Sequence, residues 1–453
     1  MFVLVALFVV NAMVCLVAPW IGVLAQYTIS VLGPQYIWWW LFDDVRPSLL
    51  VTLPTLAGIG IALVRGKVNA RMLRTRMNGL MAVLYVCSCI AYFFGPYVDV
   101  VNQYRFYDVD LMFSLWQKTC LSYLVGVLLI DSERKLEAVA ALMLVTFVYM
   151  TWWANSQYFF NNAFGRLHGP RDLSGAGIYN DENNFAVLLV VGAPFMYYFG
   201  LSVKRRVISW SLWSIIPLSW HGIFLTASRG ALVATAMVLL VFTIRIRRPR
   251  IALFVLLAFG AAYAMEAGDL MKSRSSTVLE YETENSAAYR IAAWQGSMGM
   301  MVAHPLTGVG FASFGQAFQD FSDVPPRIAH NTFFQIGGEW GVVAAVAFLC
   351  LIFTTLRGLW VTGSLLRASA GSGPLPRIYY INEACLLGLV GLFSCAMFLS
   401  LQQFEVLYLL LLTANAARVL GIERLGRADA TLSATLKGMP PPLASGINPS
   451  PSP

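Results

Sequence analysis

Runs of 17 or more almost uncharged residues recur along this 453-residue chain from its first residues to about position 421. At 1.5 Å per helical residue, each run is long enough to cross a hydrocarbon core of roughly 30 Å. With 58% hydrophobic and 12% charged residues, against roughly 45–50% and 25% in soluble domains, a water-soluble globule is excluded. The fold class expected is an all-α polytopic membrane protein.

Twelve spans are expected, over residues 2–32, 48–64, 77–94, 111–130, 135–153, 184–201, 207–225, 229–244, 250–265, 331–355, 380–400 and 404–421. The first is long and contains Pro19, so a shorter helix followed by a second short or re-entrant piece is the alternative. No basic residue precedes Arg46, so the N-terminus lacks the positive region of a cleaved secretory signal and reads as a retained span. One membrane domain is expected over 1–425, including a long loop at 266–330, with a disordered Pro-rich cytoplasmic tail over 426–453.

Orientation follows from the loops, because cytoplasmic loops carry the excess of Lys and Arg. One side collects 21 of the 31 basic residues, among them Arg71, Arg245, Arg377 and Arg424, and only 6 of the 23 acidic ones. That side is assigned to the cytoplasm. The net charge of +8 therefore reports topology and gives no reason to expect a nucleic-acid partner. The seven cysteines lie almost entirely in apolar runs, without the spacing of a disulfide framework or a zinc site.

Two outer loops, 154–183 and 266–330, are longer than a connection requires, and long ordered loops are usually functional. Within the second, Ser286 to Met301 has good helix formers and an apolar stripe with Trp294, as expected of a helix lying along the membrane surface. Against a net acidic outer face the basic residues there need a reason. Arg229, in TASRGALVA at the junction of two spans, is costly near hydrocarbon unless it pairs or faces a wet cavity. A guanidinium fork matches diphosphate oxygens in bidentate geometry, though an interfacial arginine also snorkels. Arg290 lies on the surface helix, ahead of the Pro- and Gly-rich turn HPLTGVGF. Arg166 and Arg171 flank His168 in GRLHGPRD and form a further candidate anion site.

Of the four histidines, His221 reads as a packing residue and His304 as a cap of the surface helix. His330, in AHNTFFQIGGEWG where the chain leaves the loop, is the candidate base. An unperturbed imidazole titrates near 6.5 and accepts a proton from a hydroxyl at neutral pH. Asn331 beside it and Glu339 further along are candidate substrate contacts, Glu339 as a partner for an imidazole or a guanidinium. The run Asn180 to Asn184 opens a span and reads as N-terminal capping. Asp108 and Asp110 form a DxD and Asp43 with Asp44 a DD; such pairs are weak cation signals, and no metal is assigned.

The strings TASRGALVA, RIAAWQGSMGMMVAHPLTGVGF and AHNTFFQIGGEWG together resemble the signature region of the O-antigen ligase and polymerase superfamily, over about Asn180 to Gly341. The resemblance implies a C-type, all-helical glycosyltransferase of the inner membrane, with a periplasmic site and a metal-independent, inverting reaction that needs no cofactor. It places His330 at the essential histidine and Arg229 and Arg290 at the essential arginines; Arg166 falls in a less regular loop. The donor it implies is undecaprenyl diphosphate-linked O-antigen, and the acceptor lipid A-core oligosaccharide. Polymerisation of O-antigen units is the nearest alternative. The segment GPQYIWWW is similar to exosortase-associated O-glycosylation ligases, which keeps a protein acceptor open. A transporter for a lipid-linked anion is the rival from another class, and the sequence lacks the paired broken-helix pattern that points to alternating access.

Overall fold

The computed structural model describes residues 2–42, 45–68, 70–160, 165–172, 177, 179–246, 248–269, 271–272, 285–325 and 328–436. Asp43, Asp44, Arg274, Arg327 and the tail from 437 onward lie outside these. In chain order the α-helices are α1 (Phe2–Val17), α2 (Pro19–Tyr27), α3 (Pro34–Ile37), α4 (Trp39–Phe42), α5 (Pro47–Val64), α6 (Arg76–Phe94), α7 (Val109–Leu129), α8 (Glu133–Phe159), α9 (Glu182–Ser202), α10 (Arg206–Thr226), α11 (Arg229–Ile246), α12 (Pro249–Glu266), α13 (Asn285–Ala303), α14 (Phe314–Ala317), α15 (Thr332–Trp340), α16 (Val342–Ala370), α17 (Arg377–Ala396) and α18 (Glu405–Leu436). No β-strand occurs among the described residues. The chain is an all-α polytopic membrane protein.

Ten of these helices are long and apolar enough to cross a membrane, two fewer than the twelve expected. The first difference is at Pro19, which takes the first turn of α2 where a missing N–H is tolerated, so the apolar stretch divides at Ala18 and closes in a π turn over Thr28–Leu32. The second is α10, a full-length helix that is not among the ten. A third difference moves a boundary: the span expected from 331 begins only at Val342, because Gly341 at φ 89° ends α15 and starts α16 in a new direction. His330, Asn331 and Glu339 therefore precede the span instead of descending into it. At the C-terminus α18 continues to Leu436, past the tail boundary at 426, through a stretch rich in Ala and Leu.

The core runs through α9 and α17, whose spanning windows are 72% and 83% buried, whereas α12, at 6%, lies at the periphery. Small residues let the central helices close in: Gly388 faces Phe195, Gly391 faces Val190, and Gly192 faces Phe147. The two ends of the bundle have separate chemistry. At one, Arg71 donates to the Asp131 carbonyl at 2.9 Å, Arg424 pairs with Glu133 at 3.1 Å and Arg377 with Glu137 at 2.8 Å, tying together the loops that hold most of the Lys and Arg. At the other lie the long loops, with a small second core of Met300, Val309, Phe314, Phe318 and Ala329 beneath them.

Candidate active site at the loop-bearing end

The segment around His330 is held from both sides. Asn331 caps α15, its Oδ1 accepting from the N–H groups of Phe333 (2.9 Å) and Phe334 (3.2 Å), while its Nδ2 donates to the Met397 carbonyl (3.2 Å). Thr332 Oγ1 donates to the Leu399 carbonyl at 2.7 Å and accepts from Leu401 N at 2.9 Å. On the preceding side, Ala329 donates to Gln335 Oε1 at 2.9 Å, and its carbonyl accepts from Trp294 Nε1 at 3.0 Å. Between these anchors His330 adopts φ 47°, one of three non-glycine residues in the left-handed region among the described residues. That conformation costs an L-residue roughly 1–3 kcal/mol and persists only where the surroundings over-determine it. The imidazole is half-buried.

Arg290 reaches the same neighbourhood by helix geometry. Trp294 lies one turn after it on the same face of α13 and stacks on Phe334 with ring centroids 5.4 Å apart, while Ser297 donates to the Phe334 carbonyl at 2.6 Å. α13 is thus bound to the first turns of α15, and Arg290 projects from the bound face. The HPLTGVGF turn that follows braces the other end of α15: Val309 donates to the Gly338 carbonyl (2.8 Å), Gly310 to that of Glu339 (3.2 Å), and Val342 to that of Pro305 (2.9 Å). A side chain at Gly308, at φ 58°, would run into the backbone of Gly338 and Glu339, so the motif's glycine answers a packing requirement.

Arg229 opens α11 two residues after a second left-handed residue, Ala227 at φ 49°. The turn before it is fixed by loop 165–169: Leu167 donates to the Leu225 carbonyl (3.1 Å) and Arg166 Nε to that of Thr226 (3.0 Å). Gly230 packs against Phe398. The chain from Met397 to Leu401 therefore touches both Gly230 at the start of α11 and the residues that follow His330. The guanidinium also sits at a helix N-terminus, where the peptide dipoles favour an anion.

The remaining candidates are held by other contacts. Arg166 is a clamp, with Nη2 donating to Asn183 Oδ1 at 2.9 Å and Nη1 pairing with Glu182 at 3.3 Å. His168 Nδ1 lies 2.8 Å from the Gly169 carbonyl, and Arg171 is exposed. Asn331 is 1% exposed and occupied by its capping bonds. Glu339 is 3% exposed and accepts from Gln335 Nε2 at 2.8 Å and from the backbone N–H groups of Phe314 and Ala312. Neutral donors surround that carboxylate where the sequence suggested an imidazole or a guanidinium, and burial pushes its pKa up to about 7. Tyr107 has its pKa raised by burial and by the charges of Glu339 and Asp181. Asp108 and Asp110 do not act as a pair: Asp108 caps α7 and Asp110 accepts from Tyr92 at 2.7 Å. No group of three or more His, Cys, Asp or Glu side chains positioned for a metal occurs among the described residues. His221 is a packing residue, its Nδ1 2.8 Å from Asn155 Oδ1 and its ring edge-on to Tyr158.

Hydropathy and charge counting pass over the turn between α17 and α18. FLSLQQFE, with two Gln and a Glu interrupting apolar runs, was its available signal. Besides supporting Arg229 and His330, this turn supplies Ser400, which donates to Gln335 Oε1 at 3.0 Å, and Phe404, which packs edge-on to Tyr179.

No curated protein matches the chain. Residues 215–349 match the family model described as O-antigen ligase, a stretch that runs from the middle of α10 into α16 and takes in Arg229, Arg290 and His330. Over that stretch, which is less than half of the chain, this polytopic helical protein is similar to the O-antigen ligase family.

Proposed function

We propose that this protein is an O-antigen ligase of the bacterial inner membrane, transferring O-antigen from undecaprenyl diphosphate to lipid A-core oligosaccharide at the periplasmic face. The observation that carries the reading is a shared support: Gly230, next to Arg229, packs on Phe398, Asn331 and Thr332, which follow His330, bond to the Met397 and Leu399 carbonyls, and Trp294, one turn after Arg290, bonds to the Ala329 carbonyl.

Arg229 and Arg290 grip the donor diphosphate through charge-assisted hydrogen bonds, which strengthen as negative charge develops on the leaving group. His330 accepts the proton of the acceptor hydroxyl as that oxygen attacks the anomeric carbon. A new glycosidic C–O bond forms, the C–O bond to the diphosphate breaks, and undecaprenyl diphosphate departs with the electron pair. Single displacement inverts the anomeric centre. The leaving group is already a stable anion and needs little protonation, so the chemistry asks for cations and one base but for no metal or cofactor.

Reconstitution of the full-length protein with carrier-linked O-antigen and lipid A-core tests this. Glycan joined to lipid A-core, with wild-type turnover lost in His330→Ala, is the expected result. Longer carrier-linked chains with no transfer to lipid A-core would identify a polymerase. Movement of the donor across proteoliposomes without a covalent product would identify a transporter and remove the enzymatic reading.

A further inference from the structure

Lys118 is out of place by ordinary rules. It sits near the middle of α7, in the apolar sequence FSLWQKTCLSYL, and it is exposed. Among the described residues none forms an ion pair or hydrogen bond with its ammonium, and an unpaired cation on the lipid-facing surface of a span is costly. Ionisable groups at that depth ordinarily face a bundle interior or a polar partner. This one faces outward.

The surface beside it is shaped. Leu121, Ser122 and Val125 follow Lys118 at helical spacing, so the four form one stripe along α7. The last three line a shallow cleft, open to the side, whose opposite walls include Gly22, Gln26, Tyr27, Thr52 and Thr55 of α2 and α5. On those walls Thr52 donates to Gln26 at 3.0 Å and Thr55 to the Val51 carbonyl at 2.7 Å, while the buried Tyr27 hydroxyl has no hydrogen-bond partner among the described residues. What remains is a narrow, largely apolar slot open to the side, with a cation one turn above it toward the loop-bearing end.

We propose that this slot between α2, α5 and α7 binds an anionic phospholipid, one acyl chain lying in the cleft and the phosphate paired with Lys118. Charge complementarity selects the head group: the ammonium needs an anion at a depth that a snorkelling side chain reaches from below the interface. A free inorganic anion would have to leave water without any apolar compensation, whereas a phospholipid brings its chain with it. Bilayer phospholipid is also present at far higher concentration than any minor lipid, so mass action favours its occupancy. None of Arg229, Arg290 or His330 lines the slot, so this inference does not rest on the proposed reaction.

The test is native mass spectrometry of the delipidated full-length protein, titrated with phosphatidylglycerol or phosphatidylcholine. Wild-type protein is expected to bind phosphatidylglycerol at least tenfold more tightly. Lys118→Gln should erase that preference, Lys118→Arg should keep it, and Lys67→Gln at the opposite end should leave it unchanged. Leu121→Trp, which fills the cleft and spares the cation, should weaken both lipids. A preference that survives Lys118→Gln overturns the proposal, as does equal binding of the two lipids by wild type. Displacement of phosphatidylglycerol by an equimolar polyprenyl phosphate in wild type, but not in Lys118→Gln, would assign the slot to a carrier lipid and overturn the phospholipid.

Discussion

Helix α11 carries an arginine near each end, and the protein treats the two in opposite ways. Arg245, in the last turn, is 6% exposed and fully enclosed. Its Nε donates to Glu383 Oε2 at 2.9 Å, Nη2 to the other oxygen, and Nη1 to Ser364 at 2.9 Å, while the guanidinium lies 4.6 Å from the Trp360 ring centroid. Gly363 makes room, since a side chain there would overlap Glu383, Asn382 and Arg245. Arg229 stays half-buried at the N-terminus of the same helix, beside a half-buried imidazole segment. The guanidinium of Arg245 is thus architecture, enclosed by a bidentate carboxylate, whereas Arg229 keeps part of its surface exposed at the loop-bearing end.

That contrast predicts which variants lose activity and which lose stability. The largest effect belongs to His330→Ala, expected to lower turnover in the reconstituted assay by roughly 10²–10⁴-fold, the range of a missing general base, with an unchanged melting temperature. Arg229→Ala should follow, with a loss of about 10²–10³-fold in turnover and intact folding. If Arg229→Ala instead unfolds the protein while transfer per folded molecule persists, the two ends of α11 do not differ as described. At the enclosed end the signature inverts: Glu383→Ala strands a buried guanidinium and should cost about 3–5 kcal/mol of stability, measured by thermal unfolding in detergent. Glu383→Ala protein that stays folded should retain near-normal turnover.

The smallest effect sharpens the role of Glu339. Its folded pKa of about 7 lies above the ordinary value of 4.5, so the folded state holds the proton longer than the unfolded chain does. Its contribution is fully present below pH 4.5 and is lost as pH rises toward 7, by on the order of 3 kcal/mol in total. Melting temperatures recorded across that window should fall in the wild type and flatten in Glu339→Gln. A flat wild-type profile would sink the assignment of Glu339 as a buried anchor held by neutral donors.

Arg229 could be read from the sequence because a charge at the junction of two apolar runs is conspicuous by itself, and the three motif strings drew attention to Arg290 and His330 in the same way. The partner of Arg245 could not, for Glu383 lies 138 residues away in RIYYINEACLL, and charge counting registered Arg245 only as one more loop cation. The bond of Asn331 to the Met397 carbonyl and the clamping role of Arg166 were equally hidden, since each depends on groups brought from other segments. Gly341 explains the misplaced span: hydropathy is blind to a change of direction inside a continuous apolar run.

By itself, the sequence determined the solvent and therefore the architecture, because apolar runs longer than the bilayer is thick leave a chain few structures that satisfy its backbone. It also determined the segregation of charge between the two ends, which needs only the order of the loops. The tertiary structure alone decided which polar groups meet. Gly230, next to Arg229, and the residues that follow His330 meet the same turn at 397–401, and the cleft beside Lys118 exists only once α2 and α5 are set against α7. Periodicity and hydropathy are local properties, whereas a site in a helical bundle is an accident of neighbours far apart in the chain.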